Sequence, residues 1–296
     1  MTFDIRHVRI STLRYERMII LATTSTRCLP PPHHSFPLFL GPLGAAFGSP
    51  YRLDYVGHHN QFFPIGHIGD KREGAITTDQ GRTTVEEAFG SKYSPIIHLA
   101  LGHEKHNIVH VLDEVPRKHL TLVADAVIVR KPERSIRSKP IAIGTLLGDC
   151  PVVCVTSDEW LGFVHCGRPE AMDEPSVIEV FLTTWPSPTE ETEIYVGPGI
   201  CGRHYGLKTL DEKYNPYKTE CPFEGEVGFD LAQFILATIA DINSDLVCNT
   251  VNNGTCPYCQ REAGEEAWAS DQWFKRNRSG EFSPRDWAAF IYNPTQ

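Results

Sequence analysis

The chain has no long hydrophobic run, no excess of basic charge and no dense set of cysteines. Among its 296 residues, no apolar stretch approaches the roughly 20 residues that a membrane-spanning helix needs. The formal net charge is −9, whereas a nucleic-acid surface needs clustered positive charge. The nine cysteines are an odd number scattered from Cys28 to Cys259, unlike the even framework of a small secreted scaffold. We therefore expect a cytoplasmic protein with reduced thiols that binds neither membranes nor nucleic acid.

Several widespread catalytic signatures are also absent. The sequence contains no GxSxG, no phosphate-binding P-loop, no HExxH zinc motif and no kinase signature. It has no internal repeat and no low-complexity linker. We predict that residues 1–65 form an irregular segment packed on the rest, and that residues 66–296 form a single domain.

Strand and helix patterns alternate along the predicted domain. Runs rich in Val, Ile and Leu predict strands that are covered on at least one face. They are Pro95–Leu101, Ile108–Leu112, Leu122–Val129, Ile141–Leu147, Val152–Val155, Leu161–Val164 and Glu193–Val196. Helices are predicted at Thr83–Phe89, Ser176–Trp185, Asp230–Ile242 and residues 264–276, and a charged hairpin loop at Arg130–Lys139. This interleaving favours an α/β or α+β fold with mixed sheets.

Two of the predicted strands bring a thiol and an imidazole to their ends. Cys150 comes just before the strand that begins at Val152, and His165 comes just after the strand that ends at Val164. If these strands are neighbours, both side chains lie at the same edge of a sheet. A cysteine and a histidine together form half of a zinc site or a catalytic pair of nucleophile and base.

The segment Gly102–His110 offers a third ligand. A tetrahedral zinc site needs at least three protein ligands. Because side chains alternate along a strand, His106 and His110 can share a face, while His103 points away. Two histidines and one cysteine leave the fourth position open for water or substrate, which is typical of catalytic zinc sites. The residues alone leave a second interpretation open, in which a buried cysteine lies beside a histidine of the core.

Two other motifs have plainer interpretations. Cys256-Pro257-Tyr258-Cys259 has the spacing of half a zinc ribbon, but no second CxxC accompanies it. We interpret it as two ordinary thiols near a turn, since a second, structural metal has no further support in the sequence. Gly197-Pro198-Gly199-Ile200-Cys201-Gly202 matches GxGxxG, yet no helix start follows it. We expect a tight backbone loop that approaches a ligand, and not a dinucleotide site.

An ordered set of motifs from about residue 66 to the end resembles a known family. The motifs are Ile68-Gly69-Asp70, Gly81-Arg82, Glu104-Lys105-His106, Ala124-Asp125-Ala126-Val127, Gly148-Asp149-Cys150-Pro151, His165-Cys166-Gly167-Arg168, Gly197-Pro198-Gly199-Ile200, Thr255-Cys256, Trp273-Phe274-Lys275-Arg276 and Pro284-Arg285-Asp286-Trp287-Ala288. They resemble the multicopper polyphenol oxidoreductases (laccase-like). This family is also described as zinc-dependent purine nucleoside phosphorylases and includes bacterial peptidoglycan-editing factors.

The resemblance implies a fold and a set of site residues. The fold would be a four-layer α/β/β/α sandwich. A single zinc ion would be held by His106, Cys150 and His165, which selects His106 over His103. The expected catalytic residues are Asp149, Arg82 and Arg285, with Asp149 orienting a ligand or acting as general base and the arginines neutralising phosphate. Substrate would be bound by Arg168, Gly197, Gly199, Tyr205 and Arg276.

One departure from the family pattern concerns phosphate. The family's His-Ala-Gly-Trp-Arg-Gly is replaced here by His165-Cys166-Gly167-Arg168-Pro169-Glu170, and Asp173 and Glu174 follow. Acidic side chains weaken anion binding at the start of a helix. This segment therefore argues against the family's usual way of binding phosphate.

Three hypotheses of function follow. The first is a zinc-dependent enzyme that acts on purine nucleosides, by phosphorolysis of the glycosidic bond, deamination of adenosine, or both. Its partners would be a nucleoside and phosphate, and the protein a monomer or homodimer. The second is a metal-free hydrolase or amidase with Cys150 as nucleophile and His165 as base. The third is a zinc-binding scaffold without turnover. Copper is less expected than zinc, because no His-x-His pairs supply several copper ions.

Overall fold

Two large mixed sheets form the frame of the protein. The structure is a computed structural model that describes residues 51–56, 93–101, 107–132, 139–197, 199–250, 256–264, 270–277 and 286–292. The predicted helix Thr83–Phe89 lies outside these residues, as do the predicted site residues Arg82, His106 and Arg285.

The described residues contain 14 strands and five α-helices. The strands are β1 (Tyr51–Val56), β2 (Ile96–Ala100), β3 (Val109–Leu112), β4 (Leu120–Val123), β5 (Ala126–Arg130), β6 (Ile141–Leu147), β7 (Val152–Thr156), β8 (Trp160–His165), β9 (Glu193–Val196), β10 (Gly206–Leu207), β11 (Lys218–Thr219), β12 (Val227–Phe229), β13 (Val247–Thr250) and β14 (Asp286–Tyr292). The helices are α1 (Arg168–Met172), α2 (Val177–Thr184), α3 (Leu231–Ile242), α4 (Pro257–Glu262) and α5 (Asp271–Asn277). Short 3-10 turns lie at Thr189–Glu191 and Glu212–Tyr217.

Both large sheets contain parallel and antiparallel pairs. The five-stranded sheet has the order β1-β14-β6-β2-β4, and β2 is parallel to both β4 and β6 while β14 is antiparallel to β6. The six-stranded sheet has the order β13-β9-β7-β8-β5-β3, with β7 and β8 antiparallel. A small sheet of β10, β12 and β11 completes the described strands. The predicted α/β class with mixed sheets is confirmed.

The central strands β5, β7 and β8 of the six-stranded sheet are buried on both faces. Along β5, Val127 and Val129 lie in the core between the two large sheets, while Ala126 and Ile128 lie in the core under the helices. Successive side chains point to opposite faces of a strand, so a strand covered on both faces has a continuous apolar sequence. This burial explains why continuous apolar runs, without alternation of apolar and polar residues, predicted these strands.

Helices α2 and α3 cover the outer face of the six-stranded sheet. Val177, Ile178 and Phe181 of α2 and Leu231 and Ile235 of α3 pack into its second core. The described residues therefore show helix, sheet and sheet, which are three of the four expected layers. Among these residues, no helix combines the length and hydrophobicity required to cross a lipid bilayer.

The first residues of α2 and α3 account for where these two helices begin. The Ser176 hydroxyl accepts from the Glu179 N–H at 3.2 Å, and the Glu179 carboxylate accepts from the Ser176 N–H at 2.6 Å, which forms a capping box. The Asp230 carboxylate accepts from the Gln233 N–H at 3.0 Å. Both predicted helices are confirmed to within a residue at each end.

Three predicted elements are wrong. Leu122–Val129 is not one strand, because the chain leaves the five-stranded sheet after β4 and enters the six-stranded sheet at β5. Arg130–Lys139 is not a hairpin loop, because β5 and β6 lie in different sheets. The helix predicted at residues 264–276 is too long at its start, since Gly264 has a left-handed φ of 85° and α5 spans Asp271–Asn277.

The ends of the described chain meet in one sheet. Strand β1 pairs antiparallel with β14, so Tyr51 is opposite Tyr292. Residues 1–65 are therefore not irregular throughout, because they contain a strand of the five-stranded sheet. The domain boundary at residues 65 and 66 stays a prediction.

Candidate active site and metal centre

His165 ends β8, and Cys150 lies two residues before the neighbouring strand β7, at the same end of this strand pair in the six-stranded sheet. Val152 at the start of β7 lies opposite His165 at the end of β8. The Cys166 N–H donates to the Pro151 carbonyl at 3.0 Å and closes this edge. Cys150 is half-buried and His165 is buried. The expectation that neighbouring strands bring these two residues to the same edge is confirmed, whereas their role as metal ligands stays a prediction.

Asp125 ties the segment after His106 to the same edge. This buried carboxylate accepts from the Ile108 N–H at 3.1 Å, and the Asp125 carbonyl accepts from the His165 N–H at 2.8 Å. Ile108 follows His106 by two positions in the sequence. The motif Ala124–Val127 contains Asp125, but sequence reasoning gave this residue no role, because a buried acid between two strands has no local signature.

Asp149 binds the start of helix α5. Its carboxylate accepts from the Ser270 hydroxyl at 2.6 Å and from the Gln272 N–H at 2.7 Å. The N-terminus of a helix carries partial positive charge and unpaired N–H groups, so a carboxylate is favourable there. Asp149 therefore attaches the turn that contains Cys150 to helix α5, in the C-terminal part of the chain. The catalytic role predicted for Asp149 stays a prediction.

The loop that begins at Gly197 packs against the Cys150 turn. Gly197 has a φ of 112°, and its N–H donates to the Val152 carbonyl at 2.9 Å. The Ile200 N–H donates to the Asp149 carbonyl at 2.8 Å. A Cβ atom added to Gly199 would lie 2.8 Å from the Pro151 Cβ, so only glycine fits this approach. No helix follows directly, which agrees with the interpretation of GxGxxG as a close backbone loop.

The side chains predicted to bind substrate, those of Arg276, Tyr205 and Arg168, differ in their burial and in their contacts. Arg276 Nη1 donates to Glu226 Oε1 at 3.2 Å, and Nη2 donates to Oε2. The Arg276 guanidinium also lies 3.5 Å from the centre of the Phe223 ring. Tyr205 is half-buried with its ring 6.4 Å from that of Phe229, and Arg168 is exposed at the start of α1. The guanidinium of Arg276 is thus engaged by a carboxylate, and all three substrate roles stay predictions.

Four other residues form a compact cluster of metal-binding side chains. They are Cys201, His204, Cys256 and Cys259, whose ligand atoms all lie within 4.8 Å of one another. His204 Nδ1 lies 3.3 Å from the sulfur of Cys201 and 3.3 Å from that of Cys259, and these two sulfurs are 4.0 Å apart. These donors and distances are suited to a metal ion.

A turn and a helix start place the four ligands. The His204 and Tyr205 N–H groups both donate to the Cys201 carbonyl, so the chain turns tightly between Cys201 and His204. Cys256 occupies the N-cap of α4, and Cys259 follows within its first turn. The Cys201 N–H donates to the Cys256 sulfur at 3.3 Å, which joins the two halves.

The surroundings of Cys256 favour its thiolate form. Burial raises the pKa of the Cys256 thiol, but hydrogen bonds from the thiols and backbone N–H groups of Cys201 and Cys259 outweigh it. The pKa is therefore held well below its ordinary value. Because the thiolate is the form of cysteine that binds metals, this environment agrees with a ligand role.

Cys256 and Cys259, interpreted from the sequence as two ordinary thiols, belong to this cluster of potential metal ligands. The structure brings them to Cys201 and His204, which supply the missing second pair. The sequence contains no second CxxC, whereas the second pair in the structure is Cys-x-x-His. That spacing was the available signal, since Cys₃His is a common ligand set of structural zinc sites.

Comparisons with known proteins give the fold. No protein-family model and no curated protein matches the sequence. A Neisseria meningitidis protein assigned to the family DUF152 superposes with a TM-score of 0.51 at 15% identity, over 82% of this chain and 93% of that chain. The hypothetical protein YfiH of Bacillus licheniformis gives a TM-score of 0.51 at 14% identity, over 82% and 92%. The chain therefore has the fold of the DUF152 and YfiH proteins, which is the fold that the laccase-like resemblance predicts.

Proposed function

We propose that the protein is a zinc-dependent enzyme that acts on purine nucleosides, by phosphorolysis, by deamination of adenosine, or by both. His106, Cys150 and His165 are the proposed ligands. The proposal is supported by the placement of Cys150 and His165 at the same end of the neighbouring strands β7 and β8, in a fold shared with the DUF152 proteins. Asp125 supports it further, because this residue bonds both to His165 and to Ile108, near His106 in the sequence.

The chemistry of this edge fits a catalytic zinc ion. A thiolate and imidazole nitrogens suit zinc, and three protein ligands leave one position for water or substrate. Cys150 is half-buried while His165 is buried, so the pair lies at the border between the core and the surface. Zinc bound there would supply a Lewis acid that lowers the pKa of a bound water toward about 7.

The chain's own residues position this chemistry. Asp149 is proposed to orient Cys150, since its carboxylate fixes the turn to the N-terminus of α5. The loop from Gly197 to Gly199 lies against Pro151 and is proposed to bring backbone groups next to the substrate.

Phosphorolysis needs a cation that holds phosphate. Arg276 is engaged by Glu226, and Arg168 is exposed and close in sequence to Asp173 and Glu174. Arg82 and Arg285, which lie outside the described residues, are the other proposed phosphate ligands. Deamination uses water in place of phosphate and depends on none of these cations.

Product analysis separates the two chemistries. Purified protein is incubated with adenosine or inosine, with and without inorganic phosphate, and the products are resolved by chromatography. Deamination converts adenosine to inosine without phosphate, whereas phosphorolysis releases the free base only with phosphate. Cys150→Ala should abolish either product, and Cys221→Ala, at a half-buried cysteine outside both clusters, should not. If neither product exceeds the Cys150→Ala background, the proposal is wrong.

A second candidate function uses the same pair without metal. Cys150 as nucleophile and His165 as base would give a hydrolase or amidase, and their placement at the same end of two neighbouring strands supports this candidate as well. Iodoacetamide labelling, mapped to Cys150 by peptide mass spectrometry, distinguishes the two. A zinc-bound thiolate should resist until a chelator is added, whereas a free nucleophile should be modified at once. Metal at Cys150 without turnover would favour a zinc-binding scaffold.

A further inference from the structure

We propose that Cys201, His204, Cys256 and Cys259 hold a structural zinc ion that is separate from the site at Cys150. None of the four is a proposed ligand of the nucleoside site, so this inference does not depend on the proposed function. The four donors come from two chain segments, the loop after β9 and the start of α4, and their ligand atoms lie within 4.8 Å of one another.

The distances are those of a tetrahedral thiolate and imidazole site. A zinc ion with Zn–S bonds of about 2.3 Å and a Zn–N bond of about 2.0 Å keeps its sulfurs about 3.8 Å apart and sulfur and nitrogen about 3.5 Å apart. The sulfurs of Cys201 and Cys259 are 4.0 Å apart, and His204 Nδ1 lies 3.3 Å from each. Small shifts would bring all four donors onto one ion.

The number of ligands and their burial argue for a structural role. Catalytic zinc sites keep one position open, whereas structural sites have four protein ligands. His204 and Cys256 are buried, with 5% and 4% of their surface exposed. The Tyr258 ring stacks on the His204 ring with centroids 4.4 Å apart and covers one side of the cluster. A four-ligand site closed in this way leaves no position for a substrate.

A carboxylate stands behind the histidine ligand. Glu262 Oε2 lies 3.6 Å from His204 Nε2, on the side of the ring opposite the thiols. Metal-bound histidines usually donate the second ring N–H to a carboxylate or carbonyl, which fixes the tautomer and the ring orientation. Nδ1 lies 3.3 Å from the sulfurs of Cys201 and Cys259, so the nitrogen that faces the carboxylate is the one that does not face the thiols.

The proposed zinc ion fastens the C-terminal helices to the sheet edge. Cys256 and Cys259 belong to the start of α4, and the Arg261 guanidinium of α4 lies 4.8 Å from the centre of the Phe274 ring in α5. The N-terminus of α5 is bound by Asp149, next to Cys150. Zinc would thus stabilise the helices against which the Cys150 turn is held.

Metal content and X-ray absorption of Cys150→Ala test the proposal directly, because this variant lacks the other thiolate site. We expect one zinc ion per chain with three sulfur ligands at about 2.3 Å and one nitrogen at about 2.0–2.1 Å. Cys259→Ser should lose this zinc, and Cys221→Ser, the matched control, should keep it. Metal-free Cys150→Ala, iron in place of zinc, a single sulfur ligand, or a Cys201–Cys259 disulfide would each overturn the proposal.

A second measurement covers the case in which Cys259→Ser does not fold. Cys150→Ala is stripped with a chelator and digested briefly with trypsin, and cleavage after Arg261, Lys275 and Arg276 is followed by mass spectrometry. Removal of zinc should speed this cleavage several-fold, and zinc should restore protection. Equal cleavage with and without zinc rules out the structural role. If the zinc ion has three sulfur ligands but the wild-type protein turns over no nucleoside, the proposed function is wrong and the structural zinc site is still supported.

Discussion

The sheet edge at Cys150 and the cluster at Cys201 combine the same donor types but are built differently. At the edge, Cys150 and His165 come from the ends of two strands, and the thiol is half-buried. In the cluster, two pairs with two-residue spacing come from a turn and a helix start, and both His204 and Cys256 are buried. Ligand number and access, more than donor type, separate a metal that reacts from a metal that stabilises.

Exchange of one cysteine at each site gives the largest expected contrast. Cys150→Ala should lower turnover by more than the roughly 10–100-fold that the loss of an outer-shell partner costs, with the thermal midpoint nearly unchanged. Cys256→Ala should lower the thermal midpoint strongly, because a structural zinc contributes its binding free energy to folding. Turnover assays and calorimetry on both variants check this. Similar loss of stability in both variants would remove the distinction between the sites.

The free energy of unfolding should also depend on pH through His98, a residue that belongs to neither site. This residue of β2 is 2% exposed, and burial lowers its pKa to about 4. The unfolded chain binds a proton near pH 6.5, so the stabilisation is complete above that pH. It is lost as the pH falls from about 6.5 toward about 4, by up to about 3 kcal/mol of unfolding free energy.

His98→Leu should remove this part of the acid response. Urea unfolding of the wild type and the variant at about pH 7 and about pH 5 measures it. The variant should lose less stability than the wild type between these two values. An identical loss would mean that His98 is not a neutral buried imidazole in the folded protein.

Asp125→Ala sharpens the comparison at the sheet edge. The substitution leaves the Ile108 N–H without its acceptor and should lower the free energy of unfolding by about 1–3 kcal/mol. Zinc in the Cys201 cluster should be unaffected. Denaturant titration and metal analysis measure both effects. Asp125→Asn keeps an oxygen acceptor and serves as control, so an equal loss in both variants would contradict the role given to this hydrogen bond.

Glu262→Gln should produce the smallest effect, and only at the cluster. The variant removes the negative charge behind His204 but keeps an acceptor, so zinc retention should weaken by about tenfold, at the low end for such partners. Competition with a chromophoric chelator measures it. The control is Glu174→Gln, since Glu174 is exposed and paired with Lys213 away from the cluster. A change in nucleoside turnover without a change in zinc retention would contradict this assignment.

Much of the fold was predictable because its central strands, β5 to β8, are buried on both faces. Predicted and observed limits of β6 agree, and those of β7 and β8 agree to within one residue. The crossing between sheets at Asp125 was missed. The sequence is apolar on both sides of the crossing, and periodicity does not report which sheet a strand joins.

The candidate site was predictable only where the local pattern carries the chemistry. Cys150 and His165 were predicted because each lies beside turn residues at the end of a short apolar run, which marks the end of a strand. The pairing of Arg276 with Glu226 was missed, because these residues lie on different elements and nothing in their neighbourhoods points to each other. The same holds for Asp149 and Ser270.

The sequence by itself determined the class of the fold, the caps of α2 and α3, and the placement of Cys150 and His165 at the ends of two strands, whereas the sheet order decided that these strands are neighbours. The features that the sequence determined follow from local periodicity and turn chemistry, which act over a few residues. Only the tertiary structure decided that Cys201 and His204 meet Cys256 and Cys259, and that Asp149 holds α5. Such contacts depend on how whole layers pack, and packing joins residues whose separation along the chain carries no signal.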